Sequence, residues 1–362
     1  MVLAGLHAVG ADPRQAASGL LALCVVMGVV AIGLSRRHRI PVSIAWSTPG
    51  AALLGTTGAV AGGWRAAVGA FVLCGVLLAV TGLFPALSRL VAAIPRQVAN
   101  GLLAGVLLEL CLAPVRAVVD RPALALPVVL VWLLLVRVAR RWAVPGALVV
   151  ALVEIAVTAR DAPLGSLAPV LTWTTPRLGV GAVTLGLSLY LVTMAAQNLP
   201  GVAVLETFDY EAPLAPALRA TGVGTVLAAP FGGVAVNLAA ISAALCAGPE
   251  GGEDRSRRWL GAATAGAVYV VLGLAAGLLS AVVAVAPAVL VEAVAGLALL
   301  GTLASALSAT VARDDAVPAE AGVLTFLVTA SGIAVGGIGA PLWGLVAGMV
   351  VTAWLRRWRP GQ

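Results

Sequence analysis

Residues 41–57 read PVSIAWSTPGAALLGTT, and the reading of this stretch decides the fold. Its first half is β-prone and its second half helix-prone, with Ser47-Thr48-Pro49-Gly50 at the join. A spanning helix needs ~20 apolar residues, so the segment is too short and too interrupted to be one. Residues 232–247, GGVAVNLAAISAALCA, have the same character, with Gly232-Gly233 at the start and Asn237 inside. Irregular backbone at membrane depth is tolerated only where protein buries it or where it lines a cavity. Two such segments therefore mark a candidate binding site near the bilayer midplane, where the free N–H groups of half-helices attract anions.

The chain around them is apolar enough for a membrane. Its 362 residues are 61% hydrophobic and 10% charged, whereas a soluble domain is about a quarter charged. Apolar runs predict spans at 18–35, 65–88, 97–115, 122–138, 143–159, 178–205, 213–230, 258–285, 288–309, 320–337 and 340–356. All the positive charge is arginine, set in short clusters between these runs. Such clusters are topology signals, which removes nucleic acid as the reading of the net charge of +7. With the C-terminus placed in the cytoplasm, only Arg14, Arg65, Arg116, Arg121, Arg160 and Arg177 fall on the far side. The asymmetry supports a multi-pass inner-membrane protein with a cytoplasmic C-terminus.

The chain also aligns with itself at an offset of about 192–196 residues. Trp64 falls near Trp259, Ile94-Pro95 on Ala286-Pro287, Gly101-Leu102 on Gly296-Leu297, Pro122 on Pro318 and Pro145 on Pro341. Each repeat holds seven segments, an odd number that inverts the second copy, as in secondary transporters. The partner of the 178–205 span would precede residue 10, so the first helix of the first repeat is expected to be largely missing.

Candidate site residues follow from the breaks. Trp46, Ser47, Thr48 and Asn237 lie in the two short segments. Gln197-Asn198-Leu199-Pro200-Gly201 lies mid-span, where an amide pair followed by Pro and Gly predicts a broken helix. Amides both donate and accept, as a carboxylate ligand requires. Pro49, Gly50, Pro200, Gly201, Gly232 and Gly233 are the expected helix breakers. Glu109 is the deepest intramembrane acid and the candidate for proton coupling, with pairing to Arg116 as its structural alternative. Glu154 lies nearer a helix end, and His38 sits in an Arg-rich turn where it is expected to be solvated. Cys24, Cys74, Cys111 and Cys246 sit in apolar runs and read as small hydrophobes. No Walker motif, catalytic triad or metal-ligand spacing is present, so the sequence supports neither an enzyme nor a metal or cofactor.

These motifs resemble a known family. The run from Ile40 to Leu53, the run Ala196–Leu205, the run Ala229–Ile241 followed by Gly248-Pro249-Glu250, and Ala295–Gly301 are similar to the signatures of the benzoate:proton symporter family, BenE type. The family is distantly similar to the nucleobase and sulfate permeases. The resemblance implies an all-α polytopic membrane protein with a seven-plus-seven inverted-repeat fold and two short strand/half-helix segments, 41–57 and 232–247. It implies a core domain of residues 1–88 and 178–286 and a gate domain of 89–177 and 287–362. Related folds often form homodimers through the gate. The implied activity is import of benzoate or a related aromatic carboxylate with a proton, by alternating access. Met1–Gly10 resembles only the end of the family's first helix. The alternatives are another anion or a nucleobase on the same fold, or an inactive truncated paralogue. A nucleobase reader usually needs a carboxylate facing the base, and the broken segments here offer amides and hydroxyls.

Overall fold

A computed structural model of the chain describes residues 1–84, 86, 94–158, 168–239, 241–248, 251–312, 319–335 and 338–357. Arg89, Arg160, Arg313, Arg359, Pro249 and Glu250 lie outside the described residues. The helices are α1 (Val2–Ala8), α2 (Pro13–His38), α3 (Thr48–Thr57), α4 (Gly63–Leu83), α5 (Arg96–Asp120), α6 (Pro122–Val138), α7 (Ala143–Thr158) and α8 (Val180–Thr193). They continue with α9 (Leu199–Thr207), α10 (Leu214–Ala228), α11 (Ile241–Ala247), α12 (Trp259–Leu274), α13 (Ala276–Val285), α14 (Ala288–Thr310), α15 (Ala319–Ala330) and α16 (Ala340–Arg357). The strands are β1 (Ile44–Trp46), β2 (Val236–Leu238), β3 (Ala334–Val335) and β4 (Ile338–Gly339).

Among the described residues, seven helices are long and apolar enough to cross a membrane, and α12–α13 forms an eighth such path bent by 58°. Local chemistry sets the ends of these elements. At the start of α2 the Asp12 carboxylate accepts from the Gln15 N–H at 2.8 Å. The Gln15 side chain accepts from the Asp12 N–H at 2.9 Å, closing a capping box ahead of Pro13. Beyond the spans, Ser256 donates its hydroxyl and then its backbone N–H to Asp254, holding that carboxyl below its ordinary range.

Three elements differ from those expected. The span expected at 258–285 is two helices with the bend between them. The span expected at 320–337 ends at Ala330, and the β3–β4 antiparallel pair leads into α16. The expected break at Gln197–Gly201 is a π-helical turn, Met194–Asn198, joining α8 directly to α9.

The helices sort by their neighbours. α2 packs on α12, α10 on α4, and α4 on α8. Separately, α5 packs on α14 and α15, α15 on α16, and α6 on α7. Small residues allow the closest crossings. A Cβ on Gly28 would come 2.3 Å from the Gly266 carbonyl oxygen, and one on Gly75 would come 2.8 Å from that of Gly222. Without a hydrophobic drive between helices in lipid, such backbone approach is a main source of association. Leu130, Leu134, Val149, Val153 and Val157 on α6 and α7 are exposed, as side chains facing acyl chains should be.

Candidate substrate site

Breaking a helix inside a bilayer leaves N–H and C=O groups that no water can satisfy. Here the two broken segments satisfy each other. β1 and β2 pair antiparallel, with Ile44 opposite Leu238, Ala45 opposite Asn237 and Trp46 opposite Val236. The ladder extends at both ends, with the Ser47 N–H donating to the Ala235 carbonyl and the Ala239 N–H to the Ser43 carbonyl, each at 3.0 Å. The Thr225 hydroxyl oxygen accepts from the Val236 N–H at 3.0 Å and ties α10 to the same strand.

Helix α3 leaves this crossing with a side-chain cap. The Ser47 side chain accepts from the Gly50 N–H at 3.1 Å and from the Thr193 hydroxyl at 2.7 Å. Pro49 occupies the first turn, where its missing N–H costs nothing. Pro49 and Gly50 therefore start a helix after the strand and do not interrupt one. A Cβ at Gly50 would lie 2.7 Å from the Ser47 oxygen, so the glycine makes room for the cap.

The second polar stretch reaches the crossing from α8–α9. The Leu199 N–H donates to the Met194 carbonyl, five residues back, so the turn holds one residue more than an α-turn. The wider turn accommodates Pro200, which has no N–H and whose ring would clash with the carbonyl four residues earlier in a regular helix. It also directs Asn198 onto β2, where the Asn198 carbonyl oxygen accepts from the Leu238 N–H at 3.0 Å. Gly201 permits this approach, since a Cβ there would meet the Leu238 side chain at 2.9 Å. Pro200 and Gly201 thus widen and seat the helix without ending it. Gly232, at φ +89°, turns the chain into the segment before β2, and Gly233 follows it against Ala228.

The structure brings Trp46, Ser47, Thr48, Gln197, Asn198 and Asn237 to one neighbourhood but gives them different tasks. Ser47 and Asn198 are fully buried and committed to the bonds above. Asn237 is fully buried; its amide N–H donates to the Leu238 carbonyl at 2.8 Å, and its own carbonyl oxygen has no partner among the described residues. Trp46, Thr48 and Gln197 are half-buried, with no side-chain hydrogen bond to a described residue. Thr193 and Thr225 belong to the site and were not singled out in the sequence. Thr193 stands four positions before Gln197, one helical turn away, and that spacing was its signal.

A cavity of about 880 Å³ lies at the C-terminal half of α3, the end away from the crossing, between α1, α3 and α8 on one side and α5, α14, α15 and the start of α16 on the other. It reaches Ser188 on α8, one residue from Leu189, whose side chain packs against Gly50. Of the expected site residues, only Glu109 lines it. Glu109 is paired with Arg116, as its structural alternative had it. His38 departs from expectation: its Nε2 is buried, not solvated, and has no partner among the described residues. Among the described residues, no three His, Cys, Asp or Glu side chains gather as metal ligands would.

The spans, the paired breaks and the cleft between two helix groups define a multi-pass membrane protein with the architecture of a transporter. The model of one family, "BenE: Benzoate membrane transport protein", matches residues 1–354, and the chain belongs to that family. It is 37% identical to "Inner membrane protein YdcO" of Escherichia coli (strain K12) over 94% of this chain and 87% of that protein. It is 31% identical to "Benzoate membrane transport protein" of Acinetobacter baylyi over 92% of this chain and 84% of that one. Among solved structures it is similar to the transmembrane domain of the cyanobacterial bicarbonate transporter BicA. That match has TM-score 0.58 at 16% identity and covers 97% of this chain and 95% of that one. The fold is thus that of a transporter transmembrane domain, and the protein is a multi-pass inner-membrane transport protein.

Proposed function

We propose that the chain imports benzoate or a related aromatic carboxylate together with a proton, by alternating access. One observation carries the reading. The β1–β2 crossing holds a capped helix start beside two half-buried polar side chains, Thr48 and Gln197, that make no side-chain hydrogen bond to a described residue. A hydroxyl, an amide and a positive helix end suit a carboxylate, and Trp46 suits an aromatic ring.

The packing supports an inverted repeat. At the offset of about 192–196 residues, Gly28 corresponds to Gly222 and, one residue short of that range, Gly75 to Gly266. The contacts Gly28–Gly266 and Gly75–Gly222 exchange with each other under that correspondence. The two helix groups support a core of residues 1–88 and 178–286 moving against a gate of 89–177 and 287–362. With the C-terminus cytoplasmic, the cavity opens on the opposite side, the side of Arg65, Arg116 and Arg177.

The test is uptake of radiolabelled benzoate into proteoliposomes holding the purified chain. An inward proton gradient is expected to drive accumulation above the external concentration. A folded, reconstituted protein that takes up no benzoate would overturn the proposal.

A further inference from the structure

The cavity has a charge pattern that the crossing does not use. Much of its wall is apolar, including Leu53, Val106, Leu110 and Leu185. Into this space α5 presents Glu109 and Arg116, two helical turns apart on one face. The guanidinium forks onto the carboxylate, Nη1 on Oε1 and Nη2 on Oε2, the second at 3.3 Å. Asp120 on α5 and Glu292 on α14 are the other charged groups among the described lining residues; α1, α3, α8, α15 and α16 contribute none. Arg116 is therefore the one cation among the described lining residues. Its pair with Glu109 is more than half exposed, at 57% and 53% of the two side chains. Pairs that exposed contribute little, so another carboxylate in the cavity competes for the guanidinium on nearly equal terms.

We infer that Arg116 and Glu109 form an outer site where an aromatic carboxylate and a proton are taken up together. The inference rests on the cargo proposed above and adds the place and the coupling. The incoming carboxylate replaces Glu109 in the bidentate fork of Arg116, and its ring lies on the apolar wall. That exchange alone would add one negative charge to a cavity already holding Asp120 and Glu292. A proton from the same aqueous side binds the displaced Glu109 carboxylate and restores the balance. The Arg⁺–Glu⁻ pair, one carboxylate and one proton become an Arg⁺–carboxylate pair and a neutral Glu109. No bond other than O–H forms, and the net charge of the cavity is unchanged. Carboxylate and proton each favour the other's binding, which is the linkage a symporter needs.

The experiment measures radiolabelled benzoate binding and proteoliposome uptake across pH for the full chain and for Glu109→Gln, Arg116→Gln and Arg116→Lys. Benzamide serves as the uncharged competitor, and thermal unfolding monitors the fold. Wild-type affinity is expected to rise as pH falls, by up to about tenfold per unit, the limit for one linked proton. Glu109→Gln is expected to bind benzoate with affinity independent of pH and to lose gradient-driven accumulation while still equilibrating benzoate. Arg116→Gln is expected to weaken benzoate roughly 10- to 100-fold and leave benzamide unchanged, with Arg116→Lys between. Wild-type uptake with a pH slope and gradient response that Glu109→Gln fully retains would overturn the outer site and leave the cargo standing. An unchanged benzoate affinity in folded Arg116→Gln would do the same. Absence of benzoate uptake by the wild-type chain would instead overturn the cargo.

Discussion

Ser47-Thr48-Pro49-Gly50 and Gln197-Asn198-Leu199-Pro200-Gly201 both carry a Pro-Gly pair, yet they fold differently. In the first, a strand precedes the pair, Ser47 caps, and the proline sits in the opening turn of α3. In the second, a helix precedes it, and the chain absorbs the proline by widening one turn. The dipeptide does not dictate a break; what precedes it does. A helix already running through lipid keeps its hydrogen bonds by changing register, because ending would strand its carbonyls. The two solutions are complementary. The strand that opens one segment supplies a ladder edge, and the widened turn supplies the Asn198 side chain that fastens onto the partner strand.

Four substitutions test that contrast, in decreasing order of effect. Asn198→Leu leaves the buried Leu238 N–H unpaired and is expected to cost up to about 3 kcal/mol. It should also weaken uptake, because β2 loses its tie to the widened turn while keeping those to β1 and Thr225; denaturant unfolding in detergent and benzoate uptake read the two effects. Gly201→Ala drives a Cβ against Leu238 and should cost about 1.5 kcal/mol, within the usual range for overpacking. Ser47→Ala removes both the cap of α3 and the Thr193 bond, for about 1 kcal/mol in the same assay. If Ser47→Ala proved costlier than Asn198→Leu, the helix cap and not the widened turn would be the principal fastening. Thr48→Ala breaks no side-chain bond to a described residue and should change stability by less than about 0.5 kcal/mol while raising the KM for benzoate.

Much of this fold was legible in the sequence because the bilayer restricts the options. Apolar run length and the Pro, Gly and polar residues inside the runs located the spans and both strand/half-helix segments. The features that escaped are tertiary. Nothing local to Gln197–Gly201 distinguishes a break from a π-turn, because the choice depends on Leu238, some 40 positions away, whose N–H receives Asn198. The bend between α12 and α13 lies in apolar sequence, where periodicity carries no signal of a turn; the β3–β4 pair did carry one, in Ser331-Gly332 and Gly336-Gly337, which the apolar run-length reading passed over. Glu109 was found by its depth. Arg116 was named only as the structural alternative for Glu109, and their shared place on a cavity wall depends on α1, α3, α8, α14, α15 and α16 being there.

On the proposed reading the strand crossing binds the cargo through Thr48 and Gln197, which make no side-chain hydrogen bond to a described residue. The most direct test is benzoate uptake kinetics of the double variant Thr48→Ala/Gln197→Ala beside the wild-type chain, with unfolding followed in parallel. A KM raised at least about tenfold is expected, the loss of one or two hydrogen bonds to a charged group, with the unfolding transition unmoved. Wild-type KM and maximal rate in the folded double variant would contradict it and place the binding site elsewhere in the molecule.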